Sequence, residues 1–347
     1  MITFTNDIGH ALTDAVSRLR PDRVAVVTDD VVRDVVLPSI PVDGFHVISF
    51  PAGEGSKNIS TATRLWEECL RFARLTRHSL IVNIGGGVVC DMGGFVASTF
   101  KRGMRTVNIP TTLLAAVDAS VGGKTGVNLD GVKNIIGTFH NPTEVIVSSR
   151  FFASLPEREL LSGYGEMLKH ALLDSHLAVA EVLTLDMAML CTDAMLPLLE
   201  RNIAVKQQFV EADPFERGPR KALNLGHTAG HAYEALAMEK GRVIPHGHAV
   251  AMGLVTALAL SRMRGVLGSP DILYQLASRV RELYGGLPVG CDDYPRLLEL
   301  MHADKKNRDT HAVMFTLLRS PGDPAVDCPA TDDDISAAID ITRDLLT

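Results

Sequence analysis

The stretch Leu80-Ile81-Val82-Asn83-Ile84 runs straight into Gly85-Gly86-Gly87 and on into Val88-Val89-Cys90-Asp91-Met92-Gly93-Gly94. A buried β-branched run, a glycine turn and a resumed helical spacing describe a strand feeding a helix. Glycines at such a turn let backbone N–H groups approach a pyrophosphate, and the helix N-terminus favours its charge. The segment is not the GxGxxG fingerprint, and a tight turn with no ligand has the same pattern. Further strand-like runs flank it: Val24-Ala25-Val26-Val27-Thr28-Asp29, residues 47–51, Thr106-Val107-Asn108-Ile109 and Val145-Ile146-Val147. Residues 59–74 have helical spacing. Buried strands alternating with helices give a parallel sheet covered on both faces.

The texture changes after Phe151. Residues 157–173, 195–210, 222–238 and 248–264 all have helical spacing, and a strand signal returns only at 312–318. The expected fold is α/β followed by α: a Rossmann-like nucleotide domain over residues 1–150 and a mostly helical domain over 151–347. A cleft between two such domains is the natural ligand site.

Composition narrows the partners. The net charge of −7 argues against nucleic acid, because phosphate backbones want a basic face. The longest apolar run, residues 249–260, is too short to span a bilayer, and the N-terminus lacks the pattern of a signal peptide. The cysteines, 5 in number and without CxxC spacing, suit a reducing cytoplasm rather than a disulfide frame.

The chemistry concentrates in a few places. Asn224-Leu225-Gly226-His227-Thr228-Ala229-Gly230-His231 reads as one helix, and His246-Gly247-His248 follows. Spacing nominates His227 and His231 as zinc ligands on one helical face. Thr228 stands where a metalloprotease needs Glu. Glu166 and Lys169 share a face of another expected helix, and the histidines make Glu166 a candidate carboxylate ligand. Asp118, Lys124, Asn128, Lys133 and Asn134 fall in one glycine-rich stretch flanked by apolar residues. Charges in such a setting want a partner or a ligand. Pro51-Ala52-Gly53-Glu54-Gly55-Ser56-Lys57 offers a carboxylate for ribose hydroxyls and a cation, and Asp304-Lys305-Lys306-Asn307 offers another anion contact; both also read as solvated loops.

Taken together, GEGSK, GGGVVCDMGGFVAST, PTTLLAAVDASVGGKTGVN, GEMLKH, LNLGHTAGHAYE with HG, and DKKN resemble the 3-dehydroquinate synthase family of sugar phosphate cyclases. The resemblance runs from about Pro51 to Lys306. It implies an N-terminal Rossmann-like domain, a helical C-terminal domain, catalytic NAD and a bound zinc or cobalt ion. The metal ligands it implies are Glu166, His227 and His246, which moves His231 to the substrate phosphate.

The implied NAD positions are Asp29, Glu54, Lys57, Gly86, Gly87, Asp91, Thr111, Thr112, Asp118 and Lys133, with Ser154 as a further contact. The implied catalytic residues are Lys124, Lys169, Glu216, Asn224 and His231. Arg102, Asn134, Lys206, Arg220 and Lys305 would bind an anionic sugar phosphate, Arg102 from across a homodimer interface. The implied reaction turns 3-deoxy-D-arabino-heptulosonate 7-phosphate into 3-dehydroquinate and phosphate. Another sugar phosphate cyclase, such as one acting on the amino analogue, is the alternative. Two departures stand out: His248 replaces the usual Glu beside a ligand, where it would alter the ligand's surroundings or compete weakly for metal, and Gly165 stands where Ala is usual.

Overall fold

The computed structural model describes residues 1–130, 132–303 and 312–347. The chain divides into two compact units, Met1–Pro156 with Met187–Ile203, and Glu157–Asp186 with Ala204–Thr347. A division at residue 150 does not anticipate the return of Met187–Ile203 to the first unit. The segment is held there by buried Leu190, Met195 and Leu199, by Asn6 Nδ2 donating to Asp193, and by Cys191 Sγ donating to the Phe152 carbonyl.

The first unit contains β1 (Ile2–Phe4), α1 (Ile8–Leu19), β2 (Val24–Asp29), α2 (Asp30–Val35), β3 (His46–Phe50), α3 (Ile59–Arg71), β4 (Leu80–Gly85), α4 (Gly87–Thr99), β5 (Arg105–Pro110), β6 (Lys124–Leu129), β7 (Val132–Phe139) and β8 (Glu144–Val147). Six strands pair in parallel in the order β1-β8-β5-β4-β2-β3. β4 is buried at every position, as its unbroken apolar run requires. Ala25, Val27, Ile48, Phe50, Leu65, Val89, Met92 and Val96 build one core between the sheet and its helices. The chain runs from β2 outward to β3 and then back across to β4, so the order reverses between β2 and β4. Ligands of open α/β sheets bind outside the carboxyl ends of the strands at such a reversal.

The glycine-rich stretch, for which the sequence indicated no strands, contains an antiparallel hairpin of β6 and β7. Sequence did not show it because β7 is only half-buried, at Ile136 and Thr138, and leaves the apolar Val132, Ile135 and Phe139 exposed.

The second unit contains α5 (Glu157–Asp174), α6 (His176–Leu183), the second half of α7 (Met195–Ala212), α8 (His227–Glu239), α9 (His246–Met263), α10 (Asp271–Tyr284), α11 (Tyr294–His302), the hairpin of β9 (Val313–Ser320) and β10 (Asp323–Ala330), and α12 (Asp332–Leu346). α9 is its centre. Residues 249–261 are buried without a break, as in a helix surrounded on all sides.

The single helix expected over residues 222–238 is broken. Pro219–Asn224 forms a short 3-10 turn and α8 starts only at His227. Gly226 between them sits at φ 78°, the left-handed region, and a Cβ there would lie 2.8 Å from the Leu254 side chain. Only glycine meets both demands.

Candidate active site

In the first unit, most of the nucleotide candidates gather where the parallel strands end. Asp29 closes β2 and caps α2, accepting from Val32 N–H at 2.8 Å. Gly86 and Gly87 open α4 behind β4 with no capping side chain, leaving the first amides of a 13-residue helix open to an anion. Thr111 and Thr112 follow β5, and Thr112 Oγ1 accepts from Ala115 N–H at 3.1 Å. Asp118 lies in the π-helical turn Ala115–Ala119.

Lys57 is buried and reaches both Asp91 of α4 and Asn134 Oδ1 of β7. Burial pushes the Asp91 carboxyl up, against the pull of Lys57. Lys124 opens β6, and Lys133 stands on β7. Arg102 is exposed with φ 66°, and Ser154 donates to the Phe151 carbonyl within its own turn.

In the second unit, three segments far apart in sequence converge. Glu166 and Lys169 lie on α5, fully buried and ion-paired. His227 is the first residue of α8 and His246 the first of α9. Glu166 Oε1 is 3.3 Å from Nε2 of His227 and 3.3 Å from Nε2 of His246. The His231 ring centroid lies 5.3 Å from that of His227 and 5.6 Å from that of His246, so the three imidazoles form one cluster.

The donor set fits a cation. His227 Nδ1 is 3.2 Å from the Leu225 carbonyl, which can only accept, so Nδ1 carries the proton. Burial pushes the His227 imidazole down to about 3, against Glu166, so the ring is neutral. Its Nε2 lone pair then faces a carboxylate oxygen at 3.3 Å. Two lone pairs at that distance want a positive ion between them. Burial alone would lower His246, but contacts with Glu166 and Glu234 outweigh it and hold the ring up to about 10. Burial likewise works against the Glu166 carboxylate, yet Lys169 and His227 hold it well below the usual carboxylate range. Lys169 takes Glu166 Oε2, which leaves Oε1 to the two imidazoles.

Two glycines set how closely the ligands approach. A Cβ on Gly165 would lie 2.1 Å from the Gly247 carbonyl oxygen, and one on Gly247 would lie 1.7 Å from that of Ser162. α5 and α9 therefore touch backbone to backbone, beside Glu166 and His246. We expect Gly165→Ala to force them apart, costing roughly 1–3 kcal/mol as overpacking does and weakening metal affinity. A denaturant titration alongside a metal titration checks both, and an unchanged metal affinity would detach the ligand geometry from this contact.

Between α7 and α8 a turn carries the remaining polar residues. Glu216 sits at φ 57° and accepts from Asn224 Nδ2 at 2.8 Å. Arg220 is almost fully buried and donates to the Pro214 carbonyl at 2.8 Å. Lys206 is buried on α7. Asn224 is not on the helix of His227, as its sequence position suggested, because the break at Gly226 separates them. Lys305 lies outside the described residues, with the rest of the Asp304–Asn307 run.

Sequence reasoning passed over Asp213 and Glu234, and named Asn128 without giving it a role. Asp213 accepts from the backbone N–H groups of Arg217, Gly218 and Arg220, and so shapes the turn of Glu216 and Arg220. Asn128 donates to Glu54 at 2.8 Å and accepts from Asn134 N–H at 2.8 Å, joining a nucleotide candidate to a substrate candidate. Glu234 contacts His246 Nδ1 at 3.2 Å. Of the two passed over, only Glu234 left a signal, a carboxylate three residues after His231 on one helix. His248 does not join the cluster: its Nε2 lies 3.1 Å from the Arg158 carbonyl and its ring packs edge-on against Tyr284.

The chain matches the family described as 3-dehydroquinate synthase N-terminal over residues 47–162, and 3-dehydroquinate synthase C-terminal over 163–307. A 3-dehydroquinate synthase of Parabacteroides distasonis is 40% identical over 99% of this chain and 98% of its own length. That of Pyrococcus abyssi is 39% identical over 85% of this chain and 86% of its own. Among solved structures, 2-epi-5-epi-valiolone synthase from Streptomyces hygroscopicus subsp. jinggangensis 5008, with NAD+ and Zn2+ bound, superposes with a TM-score of 0.85 at 26% identity, covering 99% of this chain and 96% of that one. Matches across both halves and this identity along nearly the whole length place the chain in the 3-dehydroquinate synthase family.

Proposed function

We propose that this enzyme converts 3-deoxy-D-arabino-heptulosonate 7-phosphate into 3-dehydroquinate and phosphate, as a phosphate-eliminating cyclase that uses NAD and a divalent metal. The observation that carries the reading is the convergence of Glu166, His227 and His246 on one point, in a family whose relatives bear that activity in their names. Three protein ligands leave coordination positions for a substrate hydroxyl, as a catalytic zinc site does. When bound, NAD+ takes up and returns a hydride while the metal, zinc or cobalt, acidifies the hydroxyl being oxidised.

The protein's own groups do the rest. The amides opening α4, with Asp29, Glu54, Asp91, Thr111, Thr112, Asp118 and Lys133, would hold the dinucleotide. Lys57, committed to Asp91 and Asn134, would orient that wall rather than carry free charge to it. Arg220 and Lys206, buried and cationic, suit a substrate that carries both carboxylate and phosphate. Glu216 aims Asn224 through its hydrogen bond, and Asn224 would then meet the substrate hydroxyls. His231, in the imidazole cluster yet outside the Glu166 contacts given above, would face the phosphate and take or return a proton there. Lys124 and Lys169 complete the catalytic set.

A homodimer belongs to the same reading. Exposed Leu129, Val132, Ile135 and Phe139 on the β6–β7 hairpin offer it an apolar surface, and exposed Arg102 would reach the neighbour's phosphate. Among the described residues no helix is long and apolar enough to cross a membrane, and all five cysteines are free, as in a reducing cytoplasm.

The test is incubation of the enzyme with NAD+, zinc and the heptulosonate phosphate. Phosphate release with no net NADH is expected, because the hydride is returned. Absence of phosphate release from protein that still binds NAD and metal would sink the assignment. Faster turnover of the amino analogue would favour the neighbouring cyclase instead.

A further inference from the structure

We infer that Glu234 is the carboxylate that fixes the proton position and aim of His246 toward the metal, a role that position 248 does not take in this chain. The inference rests on the metal assignment above. Glu234 lies on α8, and its Oε2 is 3.2 Å from His246 Nδ1. An ionised carboxylate can only accept, so Nδ1 keeps its hydrogen, and Nε2, 3.3 Å from Glu166 Oε1, is the nitrogen that would give up its proton to a metal. The Glu234 side chain is 17% exposed, so water screens its charge only in part.

The two metal-binding imidazoles thus have unlike partners behind them. His227 leans on the Leu225 carbonyl, which any residue at 225 would supply. His246 leans on a side chain that a single substitution removes. A carboxylate behind a ligating imidazole strengthens it as a donor and holds its ring in plane with the metal, and losing such a partner costs about 10- to 100-fold in metal affinity. His248, next but one to His246, has turned the other way, toward the Arg158 carbonyl and the Tyr284 ring.

Three variants separate this role from simple packing of α8 against α9. Glu234→Gln keeps an acceptor of the same shape and loses the charge; Glu234→Ala loses both; His248→Gln leaves the Glu234 contact in place. Zinc affinity is read by competition with a chromophoric chelator, and the metal environment by the visible spectrum of the cobalt-loaded protein. We expect Glu234→Gln to weaken zinc binding about 10-fold and to shift the cobalt bands, and Glu234→Ala to approach 100-fold. His248→Gln should bind like the parent, and the thermal midpoint of the metal-free forms should move little. Parent-like affinity in Glu234→Ala overturns the inference while leaving the ligand assignment intact. Failure of the parent protein itself to bind zinc overturns both.

Discussion

His227→Ala is expected to lose metal and turnover together, with activity falling about a thousandfold or more, because Lewis-acid stabilisation of several kcal/mol disappears. His231→Ala is expected to keep the metal and lose about 10²- to 10⁴-fold in turnover, the range for a positioned proton-transfer group. The contrast is the point. Both rings belong to one imidazole cluster, and spacing alone would make them partners. Glu166 Oε1 lies 3.3 Å from Nε2 of His227 and from Nε2 of His246, which supports that pair as the ligands. Metal content of the purified variants, measured beside their rates, decides the matter. Equal metal loss in both would mean that the pair on α8 is the ligand pair and that the assignment of His246 is wrong.

The second large effect concerns stability. Lys169 and Glu166 are 1% and 0% exposed and paired with each other. Removing one partner of a buried pair strands the other charge and costs about 3–5 kcal/mol. Lys169→Ala should therefore destabilise the chelator-treated protein by that amount. With zinc present the loss should shrink, because a cation at Glu166 replaces part of what the ammonium supplied. Denaturant melts with chelator and with zinc give the two values. The same loss in both would show that no metal shares that carboxylate.

Local chemistry made the first unit largely readable. β2, β4 and β5 are short buried segments rich in Val and Ile, and the turn after β4 announces itself with three glycines. The β6–β7 hairpin hid because exposed Ile135 and Phe139 break the alternation that a half-buried strand would show. In the second unit the helices were visible but their ends were not. Ala222, Leu223 and Leu225 keep a helical spacing through a point where Gly226, at φ 78°, forbids a helix. Glu166 is 61 positions before His227, and nothing local to it signals a ligand; the distant histidines made it a candidate, and the resemblance of the whole motif set completed the ligand set. Asp213 shapes a turn, so no pattern of residue types marked it, and Glu234 left only its spacing from His231.

The return of Met187–Ile203 to the first unit bears on the order in which the protein is made. A ribosome delivers Glu157–Asp186, which belong elsewhere, before the last piece of the first unit emerges. At roughly 5–20 residues per second, the first unit waits about 2–9 s between its residue 156 and its residue 203. During that interval the surface destined for Leu190, Met195 and Leu199 stands open to other chains and to chaperones. The first unit still emerges whole, at residue 203, long before the second ends at 347, but its completion is interrupted by a stretch that belongs to the other unit.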